Sequence, residues 1–351
     1  MQWMHDNPGK QDRFPVYFTS NFARRRRNMR RVGCRCWCPS EFWHQCGHAE
    51  LNPRMPAALP QRHLLLALAV AAVWGTNFVV IKLALGHLPP LLFAALRFAL
   101  VLFPALFFLA RPAVPLGNLA LYGLLIGVGQ FGLLYVAING HISPGLASLV
   151  VQVQVFFTIG LSMRLSSERV RGFQWFALLL ASAGIAVIIV HTDGSTTPLG
   201  LLLVLLAALA WAGGNIAVKQ GAPANILAYV VWSSAFAVPP LIALSLFFEG
   251  GEAISAALVA ADASTWAAVA YQSWGNSLFG YAAWGWLLAR HPAATITPMA
   301  LLVPVFGMGG AALWLDEALP PWKLAAAALV IAGLALNLLW PRLRAALAGS
   351  G

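Results

Sequence analysis

Charge is scarce in this chain. Asp, Glu, Lys and Arg together make up 9% of its 351 residues, and only 11 residues are acidic. Soluble domains carry roughly a quarter charged residues, so a water-facing globule is excluded. Cysteine is equally scarce. The four present, Cys34, Cys36, Cys38 and Cys46, all fall in the N-terminal stretch, so no disulfide framework braces the remainder. A glycine-rich loop ending in Gly-Lys-Ser/Thr is missing, which argues against direct drive by ATP. What fills the space is apolar: 60% hydrophobic residues and a mean hydropathy of +0.75 describe an integral membrane protein.

Apolar runs of about 20 residues, the length that crosses a bilayer, recur from Arg62 onward. Ten helices are expected, at about 63–86, 89–110, 117–139, 144–163, 173–190, 199–219, 226–248, 265–289, 293–315 and 322–340. The eighth has the weakest pattern, diluted by Gln272, Ser273, Asn276 and Ser277. Pro89 and Pro90 suit the first turn of the second helix, where amides lack partners anyway. Pro104 and Pro304, inside the second and ninth, remove backbone hydrogen bonds and kink their helices.

Basic residues mark orientation, because Lys and Arg near helix ends stay cytoplasmic. Arg62, Arg111, Arg164, Arg169, Arg171, Arg290, Arg342 and Arg344 lie in the even breaks and at the termini, whereas Asp193, Glu249, Glu252, Asp262, Asp316 and Glu317 occupy the odd ones, with Lys323 at the start of the last helix as the one basic exception nearby. Both termini are therefore expected on the cytoplasmic side.

The chain also repeats itself. Trp74-Gly-Thr-Asn-Phe-Val-Val-Ile-Lys82 and Trp211-Ala-Gly-Gly-Asn-Ile-Ala-Val-Lys219 share their Trp-to-Lys spacing, and Glu168 precedes Gly184-Ile-Ala-Val as Glu317 precedes Gly333-Leu-Ala-Leu. Five helices per copy is an odd number, so the second copy runs upside down: an all-α polytopic fold of ten helices as a five-plus-five inverted repeat.

Together with Pro89-Pro-Leu-Leu-Phe-Ala-Ala-Leu-Arg97-Phe, Pro144-Gly-Leu-Ala-Ser-Leu-Val and Leu301-Leu-Val-Pro-Val-Phe, these segments resemble the EamA family of the drug/metabolite transporter superfamily over about residues 60–342. The resemblance implies repeats at 62–191 and 198–342, a cytoplasmic tail at 343–351 and a setting in the bacterial inner membrane. It also implies a secondary transporter that exports small amino-acid metabolites, cysteine and O-acetylserine among them, by alternating access. No cofactor or metal is implied, no nucleic acid, and a homodimer is compatible.

Residues 1–61 stand apart, with ten of the 22 basic residues. Three readings compete. The cysteines with His44 and His48 suggest zinc, although Cys-x-Cys-x-Cys matches no usual finger. The arginine run suits anionic headgroups. The third reading, a start assigned too early with Met55 as the working one, fits best, since Met55 lies just before the first apolar run. Over residues 62–351 the charge is +5, from 12 basic against 7 acidic residues.

Polar groups at membrane depth are costly and so are default candidates for cargo contact. Arg97 lies eight residues past Pro89, about 12 Å below the boundary, and its guanidinium matches a carboxylate in two parallel hydrogen bonds. Satisfaction by helix-end carbonyls is the competing role. Trp74 and Asn77 share a face near mid-membrane, Trp211 and Asn215 are their counterparts, and Gln130 and Gln152 add amides; bonding to a neighbouring helix is the alternative for each. Gln154 is expected to point away from Gln152. Gln272 and Asn276 stack at one-turn spacing beside Trp274, Tyr281 and Trp284 as a second wall. Lys82 and Lys219 read as interfacial anchors, and Trp286, Trp322 and Trp340 as an aromatic belt. No Asp or Glu falls within a helix core, and His87, His141, His191 and His291 lie at boundaries, so no proton relay is visible. An intramembrane enzyme would need a reactive cluster that the helices lack, and a sensor would need a signalling domain.

Overall fold

Helix follows helix wherever Leu, Ala, Val and Ile run unbroken. The computed structural model describes residues 59–166, 172–191, 196–291 and 293–348. The four cysteines, Glu168, Arg169, Arg171 and Asp193 lie outside them. Among the described residues there is no strand, and nine helices are long and apolar enough to cross a membrane. They are α1 (Gln61–Ala84), α2 (Pro90–Phe107), α3 (Leu116–Ile138), α4 (Pro144–Leu165), α5 (Gly172–Val190), α6 (Pro198–Gly221), α7 (Ile226–Phe248), α10 (Thr297–Trp314) and α11 (Pro321–Ala348). Between α7 and α10, α8 (Gly251–Ala260) meets α9 (Ala263–Arg290) at 104°. No residue of α8 is buried, and the bent pair, taken as one span, supplies the tenth candidate crossing. The sequence places residues 249–264 between two spans; α8 lies there, and its ten residues are too few to span a bilayer.

Helix starts follow two designs. Thr197, Asn225 and Asp262 cap their own helices, accepting from the amides of Gly200, Ala228 and Thr265 at 3.0, 3.1 and 2.8 Å. Three donors hold the Asp262 carboxyl well below the usual carboxylate range, the Thr265 hydroxyl and amide foremost and then the Ser264 hydroxyl. α2 and α4 instead open with Pro90 and Pro144 and have no local side-chain cap. Their free amides are met from far along the chain. Glu249 accepts from Leu91 and Leu92 at 2.6 and 3.0 Å, and Glu317 from Gly145 at 3.0 Å and the Ser143 hydroxyl at 2.5 Å. These contacts share one end of the bundle, termed the far end. The near end holds the start of α1 and the close of α9, where His63 Nδ1 and His291 Nε2 lie 2.7 Å apart.

The two repeats interleave rather than forming separate blocks. α1 packs on α10 and α9, α2 on α7, and α4 on α6 and α10. α5 and α11 form their own pair, and here the repeated glycines act: a methyl on Gly184 would fall 2.7 Å from the Val330 side chain, and one on Gly333 2.6 Å from the Ala177 carbonyl. The duplicated motif is thus a reciprocal close approach between equivalent helices.

Two departures from ideal helix matter for the site. Leu124–Gly132 in α3 and Tyr271–Phe279 in α9 are π-helical, and they occupy equivalent places in the two repeats. Sequence periodicity gave no hint of them. Pro104 does not kink a continuing helix, since regular α geometry ends at Leu102 and a 3₁₀ turn follows. Pro304 sits in the first turn of the α segment Val303–Trp314, after a 3₁₀ stretch over Thr297–Leu302. There its missing amide costs no hydrogen bond.

Candidate functional site

The polar residues of the helix interiors converge on one cavity of about 550 Å³. Trp74 and Asn77 reach it from α1, Arg97 from α2, Gln130 from α3, Gln152 from α4, Trp211 and Asn215 from α6, and Asn276 from α9. Both copies of the duplicated Trp and Asn therefore face one space. Tyr122, Phe131, Tyr281 and Trp284 supply further aromatic wall. Toward the near end the lining continues through Val218, Ile226, Leu288 and Thr297. At the far end stand the Glu249 and Glu317 contacts.

Arg97 is the only cation in this lining. It is 1% exposed, although an Arg at mid-bilayer costs about 2.5–3.5 kcal/mol on insertion scales. Its neighbours are neutral. Nη1 donates to the Tyr135 hydroxyl at 3.0 Å, Nη2 to Ser277 Oγ at 3.0 Å, and the guanidinium carbon sits 3.6 Å from the Phe131 ring centre. The described acids after residue 62 lie at the far end, in and beside α8 and just after α10, and none pairs with Arg97. Helix-end carbonyls do not satisfy it either; Ser273 instead donates to the Arg97 backbone carbonyl at 3.0 Å.

Behind Arg97 runs a one-way chain of donors. The Tyr135 hydroxyl donates to Gln272 Oε1 at 3.2 Å, and Gln272 Nε2 donates to the Asn77 carbonyl at 3.2 Å. Each acceptor in such a chain becomes a better donor to the next. Gln272 is thus fully buried and does not line the cavity; it ties α9 to α1 behind the wall. Trp274 also departs from expectation. It is 46% exposed and donates to the Leu100 carbonyl at 3.3 Å, leaving Tyr281 and Trp284 as the aromatics that face inward. The Trp74 indole donates to the Asn276 carbonyl at 3.1 Å, inside the π-helical stretch.

Gln154 lines the cavity together with Gln152, against the expectation that they diverge. Val151–Val153 is a 3₁₀ turn. Three residues per turn bring positions two apart to about 120° separation instead of the roughly 160° of an α-helix. Gln154 Oε1 then accepts from Asn215 at 2.9 Å, and Thr158 joins them at 3.2 Å from the Asn215 amide. Tyr122 and Tyr135 were missed in the sequence. Their signal was a phenol inside an apolar run, which needs a partner when buried.

Three buried polar atoms of the lining lack a partner: Asn77 Oδ1, Gln130 Oε1 and Arg97 Nε. Unpaired buried groups are expensive, and these three, one donor and two acceptors, are packed into the wall of the cavity that their residues line. Among the described residues no cluster of three metal-ligating side chains exists.

A polytopic bundle of interleaved repeats around a central polar cavity is the architecture of a membrane transporter. Comparison with known proteins gives the family. The chain matches the EamA-like transporter family twice, over residues 61–190 and 198–339. It belongs to that family, and is a transporter rather than an enzyme. It is 44% identical over 285 residues to a probable amino-acid metabolite efflux pump of Salmonella typhimurium, covering 80% of this chain and 95% of that protein. A protein of the same description from Escherichia coli K12 is 42% identical over 287 residues, with 80% and 96% covered. The uncharacterized inner membrane transporter YedA of E. coli K12 is 29% identical over 273 residues, with 74% and 86% covered. A solved crystal structure sharing 19% identity superposes with a TM-score of 0.53, over 81% of this chain and 99% of that one. It supports the fold alone.

Proposed function

We propose that this protein exports small amino-acid metabolites across the bacterial inner membrane by alternating access, with the cavity around Arg97 as the cargo site. The observation that carries the reading is a buried guanidinium with no acidic partner among the described residues, on a cavity lined by amides and aromatic rings. A carboxylate from the cargo pairs with Arg97, and the amide side chains of the lining, Asn77 and Gln130 among them, suit its ammonium group. Cysteine and O-acetylserine carry both groups. The names of the two enteric relatives support the same cargo class. Both termini lie in the cytoplasm by the distribution of arginines, which makes the near end the side from which cargo enters.

Purified protein in liposomes, assayed for counterflow of labelled cysteine or O-acetylserine, tests this. Saturable counterflow is expected. Its absence for every small zwitterion offered would reject the proposal.

A further inference from the structure

The far end is closed by contacts of one unusual kind. Glu249 follows α7 and Glu317 precedes α11, both in the second repeat, yet each carboxylate sits on the start of a first-repeat helix, α2 and α4 respectively. Those helices begin with proline and lack caps of their own. The amides of their first turn are therefore unpaired without the glutamates, and the positive end of the helix dipole favours an anion there. Each carboxylate is further fixed: Ser245 donates to Glu249 at 2.6 Å, while Ser143 and Lys323 donate to Glu317 at 2.5 and 3.1 Å. One turn below Gly145, Ser148 is wholly buried, and a methyl on Gly307 of α10 would strike its side chain. Beneath the Glu317 contact, α4 and α10 thus close over the far side of the cavity, whose lining continues only toward the near end.

We propose that Glu249 and Glu317 are the two clasps of a far-side gate, and that cargo leaves when these carboxylates release the starts of α2 and α4. The inference rests on the alternating-access reading above. It gives the far-end acids a role as gate residues, where orientation alone would leave them incidental. Because the repeats interleave, the moving parts are the first turns of α2 and α4 against the segments bearing Glu249 and Glu317, rather than one five-helix half against the other.

The bundle after residue 46 contains no cysteine, so replacing Cys34, Cys36, Cys38 and Cys46 by Ser gives a clean background for labelling. In nanodiscs, maleimide reaction is followed at Ser148→Cys, beneath the gate, and separately at Val218→Cys, in the near-end lining. Glu317→Gln breaks the clasp from one side. Gly145→Ala breaks it from the other, placing a methyl 2.9 Å from the intact carboxylate. Both are expected to raise labelling at position 148 and lower it at 218, by roughly tenfold given the strength of hydrogen bonds to a charged group, and Glu249→Gln adds to the effect. Unchanged labelling at 148, or a rise at both positions as in general loosening, would overturn the proposal. No cargo enters this assay. Reciprocal labelling without counterflow would therefore leave the gate standing and remove the carrier reading, and counterflow with unchanged labelling would do the reverse.

Discussion

Arg97 and Tyr135 are joined by a 3.0 Å hydrogen bond from guanidinium to phenol, linking α2 to α3 in the middle of the bundle. Both are buried to within 1% of complete. The phenol in turn donates its own hydrogen bond to Gln272, so the cation is oriented by a chain ending at the α1 backbone. This arrangement aims a charge without neutralising it; in the proposed export role the countercharge comes from the cargo.

Replacing Arg97 with Gln should leave insertion intact and abolish high-affinity transport. A charge-assisted hydrogen bond contributes about 1.5–3 kcal/mol, roughly 10- to 100-fold in affinity. Arg97→Lys should not restore it, because an ammonium cannot reach Tyr135, Ser277 and a carboxylate in the same fork. Equal transport by wild type and the Gln variant in counterflow would remove Arg97 from the site.

Tyr135→Phe and Gln272→Leu should each weaken cargo affinity by several-fold, at about 1 kcal/mol for a neutral hydrogen bond. Since the two groups belong to one chain, the double variant should lose less than the two losses added. Strict additivity in measured KM would show that they act separately.

At the α5–α11 contact, Gly333→Leu should lower the melting temperature in detergent without changing KM, because overpacking costs about 1–3 kcal/mol and this pair does not line the cavity. An unaltered melting temperature would contradict the close approach at Ala177.

The Asp262 cap sets a pH dependence. Its folded-state carboxyl titrates below the ordinary range, so its contribution is fully present above the unfolded-state value near 4 and fades as pH falls toward the depressed one. Asp262→Ala should therefore melt earlier than wild type at pH 7, and the gap should narrow only below about pH 4. A gap that closes between pH 8 and 6 would assign it to another group.

Much of this was legible beforehand, because membrane burial forces long apolar runs and duplication leaves matching residues. The Trp74 and Trp211 segments gave both the repeat and four of the lining residues, and Arg97 was conspicuous as a cation within an apolar run. The shortfall has a common cause. Gln154, Gln272 and Trp274 were misplaced because an ideal helical period was assumed, whereas α3 and α9 carry π-helical stretches and α4 a 3₁₀ turn. The Glu249 and Glu317 contacts were invisible for another reason. Each joins residues more than 150 positions apart, and no local pattern announces which helix start a distant acid will cap.

The central claim is that Arg97 binds the carboxylate of the cargo. Binding of cysteine and of cysteamine, which lacks only the carboxylate, should be compared in wild type and Arg97→Gln by isothermal titration. Wild type should prefer cysteine by roughly 10- to 100-fold, and the variant should lose that preference by binding cysteine more weakly while cysteamine changes little. Equal discrimination in both proteins would contradict the account.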